Sequence, residues 1–271
     1  MVATKTRAKP RKTAKPAAPA PSIENWEELL NIAITVPGAM GNTYSRFHRY
    51  SVLNMALLMS QGIMEPCASY ERWKAMGRQV QKGTHAALIN RPIIIKREVE
   101  GSEDPATFKR FKLVKGAHPY SNTEGAELPP YVPPTWDRSK ALAELGIRQV
   151  DYQKIDGNSQ GYSFAKSFAI NPVAVYPFKT LMHELGHIVL GHTVEVPTEE
   201  THRGIREFQA EAVAHIVLNE LEATDQFNPS ESRAYIQGWL NGETPSKQQI
   251  AAVFSAADKI LRAGFPDQSG V

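Results

Sequence analysis

The stretch "FKTLMHELGHIVLGH", residues 178–192, constrains this chain more than any other, because it sets a His-Glu-x-x-His pattern inside an apolar run. Residues four apart share a helix face, so His183 and His187 can turn two imidazoles toward one ion while Met182, Leu185, Ile188 and Val189 pack. A catalytic zinc takes three protein ligands and keeps one position open. Glu184, one residue along, is placed to take the proton of an attacking water rather than to bind the ion. Gly186 reads as room beside the ion.

Such a centre needs a third ligand. "GIREFQAEAVAHIV" offers Glu207 and Glu211, again four apart in a helical stretch. Nineteen residues separate His187 from Glu207, enough for a turn and a return helix. Glu207 is the expected ligand and Glu211 the carboxylate that holds a ligand histidine in its tautomer; the reverse assignment stays open. His192 reads as a helix-end residue bonding a last carbonyl, with assistance to the metal as the alternative, and His202 as a surface residue. Upstream, "GYSFAKSFAINP" reads as a strand that edges the cleft and can pair with an extended peptide.

The remaining chain divides by composition. Residues 1–21 are a basic tail with six Lys/Arg and no acid, read as disordered and as lacking the apolar core of a secretory signal. Residues 22–115 form a first domain, with Ser22 as a candidate helix cap, a helix over 45–60, and a shorter helix in "SYERWKAMGRQV" ending near Gly77. "HAALINRPIIIKREV" and "TFKRFKLVKG" look like paired strands joined by the acidic loop "EGSEDPA". Residues 116–137 hold five prolines and read as a linker, and 138–271 form a second, mostly helical domain with a small sheet. The fold class expected is therefore α+β in two domains. The single cysteine, Cys67, suits a reducing, cytoplasmic setting, and no apolar run reaches the ~20 residues that cross a membrane.

Residues 72–115 carry eleven Lys/Arg against four acids. Cations interleaved with aromatics are what a sequence-tolerant single-strand binder needs. The candidate phosphate contacts are Arg78, Lys82, Lys96, Arg97, Lys109, Arg110 and Lys112, with Tyr50 and Trp73 as stacking candidates. Core anchoring is the competing role for those two rings.

Residues 161–217 resemble the zincin-like metallopeptidase domains of the ImmA/IrrE and ArdC groups, in which a strand precedes "HELGH" and a helix follows with a Glu-x-(Glu/Gln)-Ala-(Asn/Asp/Glu) pattern. Glu207, Gln209, Ala210 and Glu211 match that pattern here. Residues 44–130 resemble the ArdC N-terminal domain through "RYSVLNMALLMSQG", "SYERWKAMGRQVQKGTHAALINRPI" and "YSNTEGAELP", with Asn122 where the family has Gln. The resemblance implies Zn(2+) as cofactor, single-stranded DNA as partner, and a protein substrate such as a repressor or restriction-related protein. It implies an antirestriction or conjugal-transfer role in a plasmid, phage or other mobile element. The alternative is a DNA-binding or protein-interaction module whose zinc domain hydrolyses nothing.

Overall fold

The protein is described by a computed structural model over residues 22–35, 50–97, 106–128, 134–154, 159–194, 203–240 and 244–266. Its first half is organised by a long antiparallel pair, β3 (Ala87–Arg97) and β4 (Ala106–Pro119), in one register from Leu88↔Lys115 to Arg97↔Ala106, with a shift of one residue before it at Ala87↔Ala117. The acidic loop expected between them lies outside the described residues. The short strand β1 (Cys67–Ala68) adds to β4, and β2 (Arg78–Val80) pairs with β5 (Thr123–Gly125). Residues 116–125, expected as the start of a linker, thus belong to the sheets of the first half. Their Pro and Gly content reflects the turn at Pro119–Asn122, not a detached tether.

Helix α1 (Trp26–Thr35) is capped by Asn25, whose Oδ1 accepts from the Glu28 N–H at 3.0 Å, and not by Ser22. Helix α2 (Val52–Ser60) is capped by Ser51, inside the expected 45–60 span, whose first residues lie outside the described set. Helix α3 (Tyr70–Ala75) is capped by Ser69 and ends at Gly77, whose φ of 74 favours glycine. Two amides close the free edge of β3: Asn54 exchanges hydrogen bonds with the Asn90 backbone (3.0 and 2.6 Å), and Gln61 does the same with Leu88 (3.0 and 2.9 Å). That edge would otherwise be a pairing template for another chain.

In the second half, α4 (Arg138–Leu145) is capped by Asp137 and ends at Gly146 in the left-handed region. The stretch "GYSFAKSFAINP", expected as one strand, is a hairpin, β7 (Gly161–Phe164) and β8 (Ser167–Ile170), turning at Ala165 with φ 47. Strand β6 (Arg148–Gln149) pairs parallel with β8, so the sheet order is β6-β8-β7 and β7 is an edge. Four helices follow: α5 (Pro177–Val189), α6 (Arg203–Glu220), α7 (Pro229–Leu240) and α8 (Lys247–Gly264), the last opened by a Ser246/Gln249 capping box.

The fold is α+β, but the halves do not have separate cores. Leu29, Leu30 and Ile34 of α1 and Met55 and Leu58 of α2 share one buried cluster with Leu185, Phe208, Ile216 and Phe254. Helix α1 packs on α6 and α8, and α2 on α8. The His215 Nε2 of α6 meets the Ile34 carbonyl at 2.7 Å, so even the polar contacts cross the expected boundary. No helix among the described residues is long and apolar enough to cross a membrane.

Candidate metal centre

Period-four spacing on two antiparallel helices builds the site. On α5, Lys179, His183 and His187 form one stripe; on α6, Glu207 and Glu211 form the facing one. Lys179 Nζ lies 2.9 Å from Glu211 Oε1, His183 meets both carboxylates, and His187 faces Glu207. The helices approach this closely because Gly186 lies against Ala210: a Cβ on Gly186 would stand 3.1 Å from the Ala210 carbonyl oxygen and 3.2 Å from its Cα. Gly186 therefore makes room for the α6 backbone, not for an ion.

Three donor atoms converge. His183 Nε2 and His187 Nε2 are 3.1 Å apart, and Glu207 Oε2 is 3.4 Å from the first and 3.7 Å from the second. Ligand atoms 2.0–2.1 Å from a tetrahedral zinc are separated by about 3.3 Å, so this triangle fits such an ion. The donor set, two imidazoles and a carboxylate, suits a borderline divalent metal. Among the described residues this is the one His/Cys/Asp/Glu group with metal-holding geometry.

Glu211 does not join the triangle. It is 1 % exposed and accepts from His183 Nδ1 (3.1 Å), Ser232 Oγ (2.6 Å) and Lys179 Nζ (2.9 Å). Burial opposes its charge, yet the His183 bond and the Lys179 charge prevail and bring its pKa down to about 2. Burial likewise works against charge on His183, but bonds to Glu207 and Glu211 outweigh it and raise its pKa to about 9. Burial raises Glu207 less than the two histidines lower it, and it stays ionised far below the usual carboxylate range. Without an ion, the two carboxylates favour the protonated form of His183.

Glu184 is buried on α5, and β7 passes directly over it. A Cβ on Gly161 would lie 2.6 Å from Thr180 Cγ2, 2.9 Å from the Ala169 carbonyl and 3.2 Å from Glu184 Oε1. Only glycine lets the edge strand come this near to the carboxylate. His192 keeps a helix-end backbone bond to the His187 carbonyl (2.9 Å), but its ring does not cap. Its Nδ1 faces His187 Nδ1 at 3.0 Å and its Nε2 faces Gln209 Oε1 at 3.2 Å. His202 lies outside the described residues. Lys179, Ser232 and Gly161 escape the sequence reading. Lys179 sits four residues before His183 and a longer stripe would have found it, whereas Ser232 has no local signal.

The nucleic-acid candidates separate by burial. Arg78 is 6 % exposed and spends its guanidinium inside the fold, on the Thr123 hydroxyl (2.8 Å), the Thr123 carbonyl (3.0 Å), and the carbonyls of Gly125 and Ala126, with the Tyr120 ring 4.1 Å away. It pins β5 to β2 with four of its five N–H donors, and its burial keeps it from a phosphate at the surface. Trp73 is fully buried with its Nε1–H on the His118 carbonyl (2.8 Å), and Tyr50 is buried in the shared core. Neither offers a face for a base. Lys82, Arg110 and Lys112 are exposed. The side chains of Lys96, Arg97 and Lys109 lie outside the described set. Arg91, Arg110, Lys112 and Arg262 line a cleft of about 1220 Å³ between the β3–β4 hairpin and α8, together with Trp26 and the exposed Phe111.

The family model of the N-terminal domain of anti-restriction factor ArdC matches residues 24–120. Among solved structures, the antirestriction protein ArdC of plasmid R388 is similar in its metal-free form at 17% identity, covering 89% of this chain and 96% of that one with a TM-score of 0.49. Its Mn(II)-bound form is similar at 16% identity, covering 89% and 98%, also with a TM-score of 0.49. No curated protein sequence matches the chain.

Proposed function

We propose that this protein is an ArdC-type antirestriction factor of a plasmid or other mobile element, in which a zinc-dependent peptidase centre is fused to a single-strand-binding half. The observation that carries the enzymatic reading is the triangle of His183, His187 and Glu207 with Glu184 buried beside it. Those three residues would hold the ion, which when bound supplies Lewis acidity to a water and to a substrate carbonyl. Glu184 accepts the proton of the attacking water as the new C–O bond forms, then returns it to the amide nitrogen as the C–N bond breaks. The edge strand β7, passing over Glu184 at Gly161, offers main-chain groups to an extended polypeptide, although the Gly161 carbonyl already accepts from Ser159 Oγ at 2.7 Å. A protein substrate, a repressor or restriction-related protein, fits that geometry.

Single-stranded DNA binding rests on the family match over residues 24–120 and on the cationic, aromatic cleft beside the hairpin. The expected phosphate contacts are Arg91, Arg110, Lys112 and Arg262, with Phe111 as the stacking face; Lys82 lies exposed outside the cleft.

Metal analysis of the full chain tests the centre. His183→Ala and Glu207→Ala should lose the ion, while Glu184→Gln should keep it and lose metal-dependent cleavage products in a host proteome. Full metal occupancy in Glu207→Ala overturns the ligand set. Identical proteomes with and without Glu184 replace the peptidase by a non-hydrolytic metal module.

A further inference from the structure

Hydrogen-bond direction can be followed inward to the metal triangle from a group whose role is not in doubt. The backbone carbonyl of Gln249, at the start of α8, can only accept. Gln209 lies 3.1 Å from it through Nε2, so the Gln209 amide is oriented with its N–H outward and its Oε1 toward His192. Oε1 can also only accept, and it lies 3.2 Å from His192 Nε2, so that nitrogen carries a proton. From the other end, His187 turns its Nε2 into the triangle, 3.1 Å from His183 Nε2, and an imidazole that ligates through Nε2 keeps its proton on Nδ1. That Nδ1–H points at His192 Nδ1, 3.0 Å away, which accepts it while His192 Nε2–H donates to Gln209. Arg206 Nη1 bonds the His192 carbonyl at 2.9 Å and fixes the residue in place.

We propose that His192 and Gln209 are positioning residues: a hydrogen-bonded relay from the Gln249 carbonyl that locks His187 in the Nδ1–H tautomer and turns its Nε2 toward a divalent cation. The two histidine ligands are thus held differently. His183 donates Nδ1–H to an anion, Glu211, which Lys179 and Ser232 support. His187 donates to a neutral imidazole. Ligand orientation by such outer partners is worth about 10–100-fold in metal affinity. The relay also ties the site to α8, which contributes no metal ligand, and explains the spacing of "HIVLGH": the chain must turn back at Gly191, φ 82, to bring the His192 ring beneath His187.

The inference rests on the metal-centre reading, and two readouts separate their failures. The first is the ¹⁵N–¹H correlation spectrum of imidazole nitrogens in the metal-free full chain. It should report His187 protonated on Nδ1 in the wild type and an averaged tautomer in His192→Ala. A wild-type His187 protonated on Nε2 overturns the relay whatever the metal does. The second is chelator competition with Zn(2+) and with Mn(2+). His192→Ala should weaken binding about 10–100-fold, and Gln209→Leu should weaken it less. His192→Asn, whose Oδ1 can stand where Nδ1 stood, should recover most of the loss. Wild-type affinity within twofold in His192→Ala overturns the relay, as does His192→Asn no better than His192→Ala. A wild-type chain that holds neither ion sinks the metal centre, and the tautomer spectrum then decides the relay alone. Unchanged thermal unfolding of the metal-free variants confirms that the losses are not losses of fold.

Discussion

Glu211→Gln separates a ligand from the residue that orients one. The carboxylate is 1 % exposed and receives three donors, from Ser232, Lys179 and His183. A glutamine amide keeps the shape but has one acceptor oxygen and an NH₂, so one turn sets N–H against His183 Nδ1–H and the other against the Lys179 ammonium. The charge itself matters: a carboxyl held at about 2, where 4.5 is ordinary, corresponds to about 3 kcal/mol of stability. Removing one partner of a buried pair costs a similar ~3–5 kcal/mol. Because the folded value is the lower one, this stabilisation is complete above pH 4.5 and is lost as pH falls through about 2. The assay is urea unfolding of the metal-free protein from pH 7 downward, with the gap between wild type and Glu211→Gln expected to close in acid. In metal titrations Glu211→Gln should retain one ion at saturation with affinity reduced about 10–100-fold, while Glu207→Gln should show no stoichiometric binding. Unfolding free energies within ~0.5 kcal/mol at pH 7, or complete metal loss confined to Glu211→Gln, refute the division of roles.

Gly161→Ala should cost about 1–3 kcal/mol from overpacking against Thr180 and the Ala169 carbonyl, read by thermal unfolding, and should reduce cleavage without loss of metal. Binding of the ion has to displace the His183 proton, so affinity should rise about tenfold per pH unit from pH 6.5 and level off near 9; calorimetry that finds no proton release at pH 7 refutes this. Arg78→Met should destabilise the fold by about 3 kcal/mol through the acceptors it strands, without changing the salt dependence of DNA binding. Arg110→Ala and Lys112→Ala should do the reverse, each lowering single-strand affinity and the slope of log K against log salt by about 0.7 in a fluorescence titration.

The convergence of His183, His187 and Glu207 was legible because everything that places them is local. Period-four spacing sets His183 with His187 and Glu207 with Glu211, and only the loop between the helices was left to the fold. Burial of single polar residues was not legible, because it is decided by partners far along the chain. Arg78 looks like Lys82 in sequence, yet its acceptors lie 45 to 48 residues away on and beside β5. Trp73 meets its carbonyl 45 residues on. The proline-rich stretch misled for a related reason: Pro119 closes a strand, and that strand is held by β1, whose two residues carry no pattern of their own.

The two halves share one buried core, and this changes how the protein must be studied. Ile34, at the end of α1, packs into the cluster that includes Phe208 and Ile216, and its carbonyl holds His215, one helical turn beyond Glu211 on α6. Cutting the chain after residue 128 would strip α1 and α2 from α6 and α8, exposing Leu29, Leu30, Met55 and Leu58 on one fragment and Ile216 and Phe254 on the other. Each exposed side chain forgoes about 1.5–3 kcal/mol of burial, so neither fragment keeps the stability it has in the whole chain. The cleft makes the same point from the surface, since its walls come from the β3–β4 hairpin on one side and α8 on the other. A strand of DNA lying there, as proposed, would touch the helix whose first residues carry Gln249. Binding measurements therefore belong on the intact protein.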